Sequence, residues 1–301
     1  MSEVLVRLLA LSTLLIGGCI PQLPEVKDPC AKWQEPGLYD YSVDVDGKKR
    51  KAYISIPNSV GPRTLVFVLH GGAMSRRDMA EVTKFIPLSD SEGFVAVFPK
   101  GTGTFWNSWS GVPERRKADD VAFLDKLVSS LEKDTCGEGV LATGFSAGAH
   151  MAQRWGCEGK NVDAVVTAAG LNLAESCSGD PVPIRSYNGL DDPHVPFEGG
   201  DGTGRNGDFI SVDESMAIWR KRNECSDEDS VIIGEEGPVS CEAWNCAVPT
   251  ELCTIENYGH AWPGGTTKPQ GGNHDATAAA WAWFNALETS TTDDVQEDEG
   301  A

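Results

Sequence analysis

The residues best suited to chemistry are Gly144-Phe145-Ser146-Ala147-Gly148, a serine framed by glycines two positions away on each side. A short apolar run (Val140, Leu141, Ala142) precedes it, and a stretch able to form a helix follows. Strand, sharp turn and helix in that order are what a G-x-S-x-G nucleophile elbow requires. The turn holds the serine in a strained backbone conformation, in which side chains two before and two after would collide with their neighbours. Gly144 and Gly148 remove those side chains. Ser146 then projects from the strand end, with the helix N-terminus aimed at any oxyanion forming beside it.

A serine hydroxyl is a poor nucleophile until a base takes its proton and a carboxylate orients that base. With this elbow the acid and then the histidine come later in the chain. Of five histidines, only His194, His260 and His274 lie beyond the elbow helix. His260 directly follows a strand expected at 251–255, in a loop stiffened by Pro263 and loosened by glycines, and is the expected base. His274 opens the last helix, His194 is followed by Val195-Pro196, and His150 sits one turn beyond Ser146 as a core or supporting residue. The acid should follow a strand expected at 184–188, where Asp191-Asp192-Pro193 stands. Position alone does not separate Asp191 from Asp192.

The elements that must hold these groups read as alternating strands and helices. Runs at 39–45 and 51–56 flank Asp46-Gly47, a hairpin signal. The segments 64–69 and 94–98 are continuous apolar runs, the mark of strands buried on both faces. His70-Gly71-Gly72 follows the first of them. A helix over 79–91 is interrupted at Pro87. Another over 119–131 carries Val121, Leu124, Val128 and Leu131 on one face, with Asp119 and Asp120 near its positive end. Strands at 164–168 and 184–188 follow closely, leaving no room for a large lid domain. The Gly-rich stretch 198–208 reads as a flexible loop, since its aspartates fit no EF-hand spacing. A helix at 212–223, extended runs at 231–233 and 251–255 and a closing helix at 275–287 complete the chain. The alternation implies a mainly parallel central sheet with helices on both faces.

A length of 301 residues suits one large α/β domain. Residues 4–16 are mostly apolar but too short for a convincing membrane span, and they end in Ile16-Gly17-Gly18-Cys19. This resembles a bacterial lipoprotein signal, implying cleavage before Cys19 and a lipid anchor on its thiol in the cell envelope. An ordinary secretory signal is the alternative, and either one takes the chain out of the cytoplasm. The expected organisation is a signal peptide at 1–18, a Pro-rich tether at 19–38, the catalytic domain at 39–287 and a disordered acidic tail at 288–301. The net charge of −20 repels nucleic acid and anionic membrane surfaces. Nine cysteines leave eight once Cys19 is lipidated, enough for four disulfides in an oxidising compartment. A zinc site from Cys225, Cys241, Cys246 and Cys253 is disfavoured because no C-x-x-C pair occurs among them.

Six short motifs follow in order: His70-Gly71-Gly72, Trp106-Asn107-Ser108-Trp109, Asp119-Asp120-Val121-Ala122-Phe123, Gly144-Phe145-Ser146-Ala147-Gly148, Asp192-Pro193-His194-Val195-Pro196-Phe197 and Gly259-His260-Ala261-Trp262-Pro263-Gly264. Together they resemble the polyhydroxybutyrate-depolymerase-like esterases, relatives of feruloyl and acetylxylan esterases, over about residues 30–287. The resemblance implies an α/β-hydrolase fold and hydrolysis of carboxylic esters through an acyl-enzyme; no cofactor and no metal are expected. It selects Asp192, the aspartate before the proline, as the acid, with Ser146 as nucleophile and His260 as base. It assigns the oxyanion donors to the backbone N–H groups of Gly72 and Ala147. The chain departs from the family at Asn188, where histidine is frequent, at His194, where a small apolar residue is usual, and at Phe197, where tyrosine is common. These leave the triad intact and bear on the substrate. Trp106, Trp109 and Trp262 are candidates for a substrate wall on which an aromatic acyl group or a sugar ring would stack; core packing is the competing expectation for Trp106 and Trp109. A serine peptidase on the same fold and a catalytically silent binding module are the competing functional readings.

Overall fold

The computed structural model describes residues 32–33, 35–108, 118–174, 177–202, 208–226, 230–266 and 274–297. The expected signal peptide, Cys19 and Trp109 lie outside these residues. The chain opens with β1 (Gly37–Val45) and β2 (Lys48–Ile56), then β3 (Arg63–Leu69), α1 (Arg76–Thr83), α2 (Phe85–Glu92) and β4 (Val95–Pro99). Next come α3 (Asp120–Thr135), β5 (Gly137–Phe145), α4 (Ala147–Glu158), β6 (Ala164–Ala168) and β7 (Ile184–Gly189). A small ribbon of β8 (Gly200–Asp201) and β9 (Asp208–Phe209) precedes α5 (Val212–Arg222). The chain closes with β10 (Ser230–Glu236), β11 (Val239–Trp244), β12 (Thr250–Ile255) and α6 (Ala276–Glu297).

Ten of these strands make one sheet in the order β1-β2-β4-β3-β5-β6-β7-β12-β11-β10. From β4 to β12 all neighbours run parallel; the β1–β2 hairpin and the β11–β10 pair are antiparallel additions at the two edges. At the first hairpin Asp46 (φ 51°) and Gly47 (φ 74°) both take the left-handed region, which matches strand twist across a two-residue turn.

The apolar run of β3 shows why the sheet is covered twice. Leu65, Phe67 and Leu69 pack with Leu124 of α3 and Trp155 of α4, while Val66 and Val68 join Met79 of α1 and Phe284 of α6 on the other face. Successive side chains of a strand point to opposite faces, so a strand between two helical layers must be apolar throughout.

Four local readings change. The expected helix over 79–91 is two helices, broken at Lys84 (φ 58°) rather than at Pro87. Pro87 falls in the first turn of α2, where its missing N–H would have had no helical partner. The closing helix runs on to Glu297 instead of ending at Leu287 before a disordered tail; no Gly or Pro interrupts 288–297. Strand β11 was not expected, because VSCEAW has no clean alternation. It is held by the disulfide between the directly opposed Cys241 and Cys253. The last part of the tether is docked: Lys32 pairs with Asp134 at 3.0 Å and Trp33 packs on Tyr39.

The four cysteines weighed as zinc ligands form Cys225–Cys246 and Cys241–Cys253. Cys157–Cys177 is a third bridge, and Cys136 is also disulfide-bonded.

Candidate active site

Ser146 stands between β5 and α4 with φ 54° and ψ −121°, a strained conformation for a residue with a side chain. The flanking glycines explain how the turn closes. A Cβ on Gly144 would overlap the Gly148 carbonyl, and one on Gly148 would overlap the Leu69 carbonyl of the neighbouring strand. The Ser146 N–H is tied to the Ala168 carbonyl at 3.0 Å, so the elbow is pinned to β6. Although Ser146 occupies the N-cap of α4, its hydroxyl does not cap the helix.

That hydroxyl meets His260 instead, with Nε2 2.8 Å from Ser146 Oγ. The other ring nitrogen lies 2.7 Å from Asp192 Oδ2. Asp192 Oδ1 accepts the N–H groups of His194 (2.8 Å) and Val195 (2.9 Å), which fixes the carboxylate against rotation. Asp192 is almost wholly buried and the His260 side chain is 15% exposed. Asp191 is exposed and contributes only its N–H, to the Tyr258 carbonyl. The structure therefore brings Ser146, His260 and Asp192 together and leaves Asp191 outside.

The loops carrying the acid and the base are continuations of two paired strands. β7 and β12 run parallel up to Gly189 opposite Ile255. Beyond that point Leu190 N–H bonds the Ile255 carbonyl and Asp191 N–H the Tyr258 carbonyl, each at 3.0 Å. A Cβ on Gly189 would overlap the Tyr258 carbonyl, so the approach of the two loops depends on glycine.

A second turn completes the site. Gly72, after β3, faces Ala147, after Ser146: a Cβ on Gly72 would sit 3.6 Å from Ala147 Cβ. The turn is built around His70, whose Nε2 accepts the Gly101 N–H at 3.1 Å while Nδ1 lies 2.9 Å from the Gly71 carbonyl. Burial holds His70 below the usual histidine range, offset in part by its bond to Gly71. Its carbonyl accepts Trp106 Nε1 at 2.8 Å.

Two of the three tryptophans expected to form a substrate wall do not line the site, and the third, Trp109, lies outside the described residues. Trp106 is fully buried and spends its indole N–H on His70, and Trp262 is buried with its N–H on Thr277 Oγ1 at 3.0 Å. Both are core residues that brace the loops. The aromatic surface near Ser146 comes from other residues. Phe145 packs on the His260 ring at 4.8 Å, as does His194 at the same distance. The exposed Phe105 has its ring 2.9 Å from where a Gly72 Cβ would lie. Phe105 lies beside the Trp106-Asn107 motif but carried no signal of its own. His150 stacks on Phe209 and places Nδ1 within 3.0 Å of the Leu171 backbone. Its burial pushes the imidazole down to about 4.

The sheet order, the serine at the turn after β5 and the acid and base after β7 and β12 define the α/β-hydrolase fold. A search of solved structures agrees: the acetyl xylan esterase from Aspergillus awamori superposes with a TM-score of 0.58, at 14% identity, covering 75% of this chain and 94% of that one. A dienelactone hydrolase from Klebsiella pneumoniae gives 0.53 at 15% identity over 83% of this chain and 99% of that one. In sequence the chain is similar to feruloyl esterases. Feruloyl esterase C of Emericella nidulans is 25% identical over 297 residues, 94% of this chain and 100% of that protein. Feruloyl esterase B of Piromyces equi is 28% identical over 207 residues, and there the match spans only 38% of the relative's length. No protein-family model matches the chain.

Proposed function

We propose that the protein is an exported serine esterase that cleaves carboxylic esters through an acyl-enzyme. The observation that carries this reading is the unbroken chain of short contacts from Asp192 through His260 to Ser146, 2.7 Å and 2.8 Å long. Ser146 Oγ attacks the ester carbonyl while His260 Nε2 accepts its proton. Asp192, held by two backbone N–H groups, keeps Nδ1 protonated and so leaves Nε2 free to act as base. The tetrahedral oxyanion is received by the backbone N–H groups of Gly72 and Ala147, and losing one such donor costs roughly 3–4 kcal/mol of barrier. His260 then returns the proton to the departing alcohol, and water repeats the sequence to release the acid.

The substrate class taken from the relatives' names is a feruloyl or acetyl ester on a polysaccharide, with a polyhydroxyalkanoate as the further candidate from the sequence motifs. The leader and Cys19 support export and a lipid anchor at a bacterial envelope; the disulfides suit the same oxidising compartment. Mass spectrometry of the purified envelope protein tests the anchor, since an unmodified Cys19 rules it out.

Turnover of short-chain aryl esters, methyl ferulate, acetylated xylan and polyhydroxybutyrate by wild type and Ser146→Ala tests the reaction. Hydrolysis abolished by the substitution supports it, and wild-type turnover in folded Ser146→Ala ends it. A fluorophosphonate probe separates the enzyme from a silent binding module, which would not label at Ser146. Cleavage of peptides in preference to esters would favour the peptidase.

A further inference from the structure

In a chain of net charge −20, one cavity is lined by cations and no carboxylate. Lys51, Arg76, Arg77 and Lys100 border a space of about 370 Å³. They come from three separate stretches of sequence, Lys51 closing the basic run Lys48-Lys49-Arg50-Lys51; the fold gathers them by pairing the first half of β2 with the end of β4 and setting the start of α1 beside them. Lys100 N–H bonds the Lys51 carbonyl at 2.9 Å, which puts two ammonium-bearing residues on adjacent strands. Like charges so placed repel.

Two carboxylates approach this cluster, and both are engaged. Asp40 pairs with Arg76 at 2.8 Å, and Asp78 accepts the Ser75 N–H at 2.7 Å. Lys51, Arg77 and Lys100 are exposed and have no ion-pair partner among the described residues. Arg76 is held flat on Tyr53, its guanidinium carbon 3.5 Å from the ring centroid, and its Nη1 is buried without a hydrogen-bond partner.

The cavity adjoins the turn that carries Gly72. Met74, one of its lining residues, has Sδ 2.9 Å from where a Gly71 Cβ would lie. Thr104, another, accepts the Ala73 N–H at 3.0 Å, and Phe105 follows it beside Gly72. These contacts place the cavity against the turn that carries Gly72, on the path of a substrate extending away from the Gly72–Ala147 pair.

We infer that the Lys51–Arg76–Arg77–Lys100 cavity is a subsite for an anionic group, a carboxylate or a sulfate, carried by the saccharide whose ester is cleaved at Ser146. The inference rests on the esterase reading, and the test keeps the two apart. Binding is measured by calorimetry on the Ser146→Ala protein with an oligogalacturonate, a sulfated oligosaccharide and a neutral xylo-oligosaccharide of equal length. The anionic ligands are expected to bind about tenfold tighter than the neutral one, the size that a few partly solvated charge contacts supply. The advantage should vanish at high salt and in a Lys51→Glu/Arg77→Glu/Lys100→Glu background. A Lys51→Gln/Arg77→Gln/Lys100→Gln set, with melting curves for both, guards against misfolding. Whichever anion binds tighter identifies the group recognised, and equal affinity for charged and neutral ligands overturns the subsite. Hydrolysis of 4-nitrophenyl acetate by wild type is scored separately: its absence ends the esterase reading and leaves the binding result standing on its own.

Discussion

His70 and Gly101 are joined by a hydrogen bond from the Gly101 N–H to His70 Nε2, 3.1 Å long, which ties the loop after β4 to the turn after β3. Because Nε2 accepts, the ring proton resides on Nδ1 and is donated to the Gly71 carbonyl, 2.9 Å away. His70 is thus a neutral pin behind the expected oxyanion donor Gly72, with no part in proton transfer. His70→Ala should strand the Gly101 N–H and the Gly71 carbonyl, costing about 1–3 kcal/mol of stability per buried group. A displaced Gly72 should lower ester kcat by up to roughly a hundredfold, while KM changes little. Melting curves and steady-state kinetics measure both effects; an unchanged kcat in folded His70→Ala would show that the turn is held without it.

The two adjacent aspartates make a sharper test of the relay. Asp192→Asn keeps the shape but offers His260 a group that favours the wrong tautomer, so kcat should fall by roughly 10⁴. Asp191→Asn changes an exposed side chain that the site does not touch, and its turnover should stay within about twofold of wild type, as surface substitutions usually do. Equal losses in the two variants would show that the acid loop moves as a unit and that the 2.7 Å contact is not what orients His260.

His150 gives a stability prediction with a definite sign. Its pKa falls from 6.5 to about 4 on folding, chiefly through burial. The unfolded chain therefore takes up a proton that the native protein refuses, and stability drops as pH falls below 6.5, levelling off below about 4. The loss by about pH 4.5 is ~2–3 kcal/mol. Carboxylates add their own acid sensitivity, so the measure is a comparison: urea denaturation of wild type and His150→Gln at about pH 7.5 and about pH 4.5. The wild type should lose ~2–3 kcal/mol more than the variant between the two. Parallel losses would mean that His150 titrates normally in the folded state.

How far the sequence foretold this molecule depended on how local each determinant is. The elbow was legible because its glycines answer a clash within five residues, and the clash is there, with Gly148 against the Leu69 carbonyl. The β1–β2 hairpin was legible from Asp46-Gly47 for the same reason. His260 and the acid loop were legible because each directly follows a strand. Asp192 was separable from Asp191 only by resemblance, since the distinction arises from Val195 and His194 folding their N–H groups back onto one carboxylate. What stayed hidden is what distant segments create together. β11 needed its partner strands and a disulfide, and the cationic cavity needed three strangers in sequence to become neighbours.

Trp106 is where the sequence suggested two roles and burial decides between them. A substrate-wall tryptophan should govern KM for aromatic or sugar-bearing esters; a buried brace should govern stability. Trp106 has no exposed surface, donates to the His70 carbonyl at 2.8 Å and packs on the His70 ring at 4.9 Å between centroids. Trp106→Phe keeps an aromatic ring and removes the indole N–H. It leaves a buried carbonyl unpaired and a small void, for an expected loss of ~1–3 kcal/mol. KM for methyl ferulate should remain near the wild-type value, and any fall in kcat should track that of His70→Ala, because both act on the same turn. A Trp106→Phe enzyme of unchanged stability but several-fold higher KM would return this residue to the substrate wall and require the loop after β4 to open in solution.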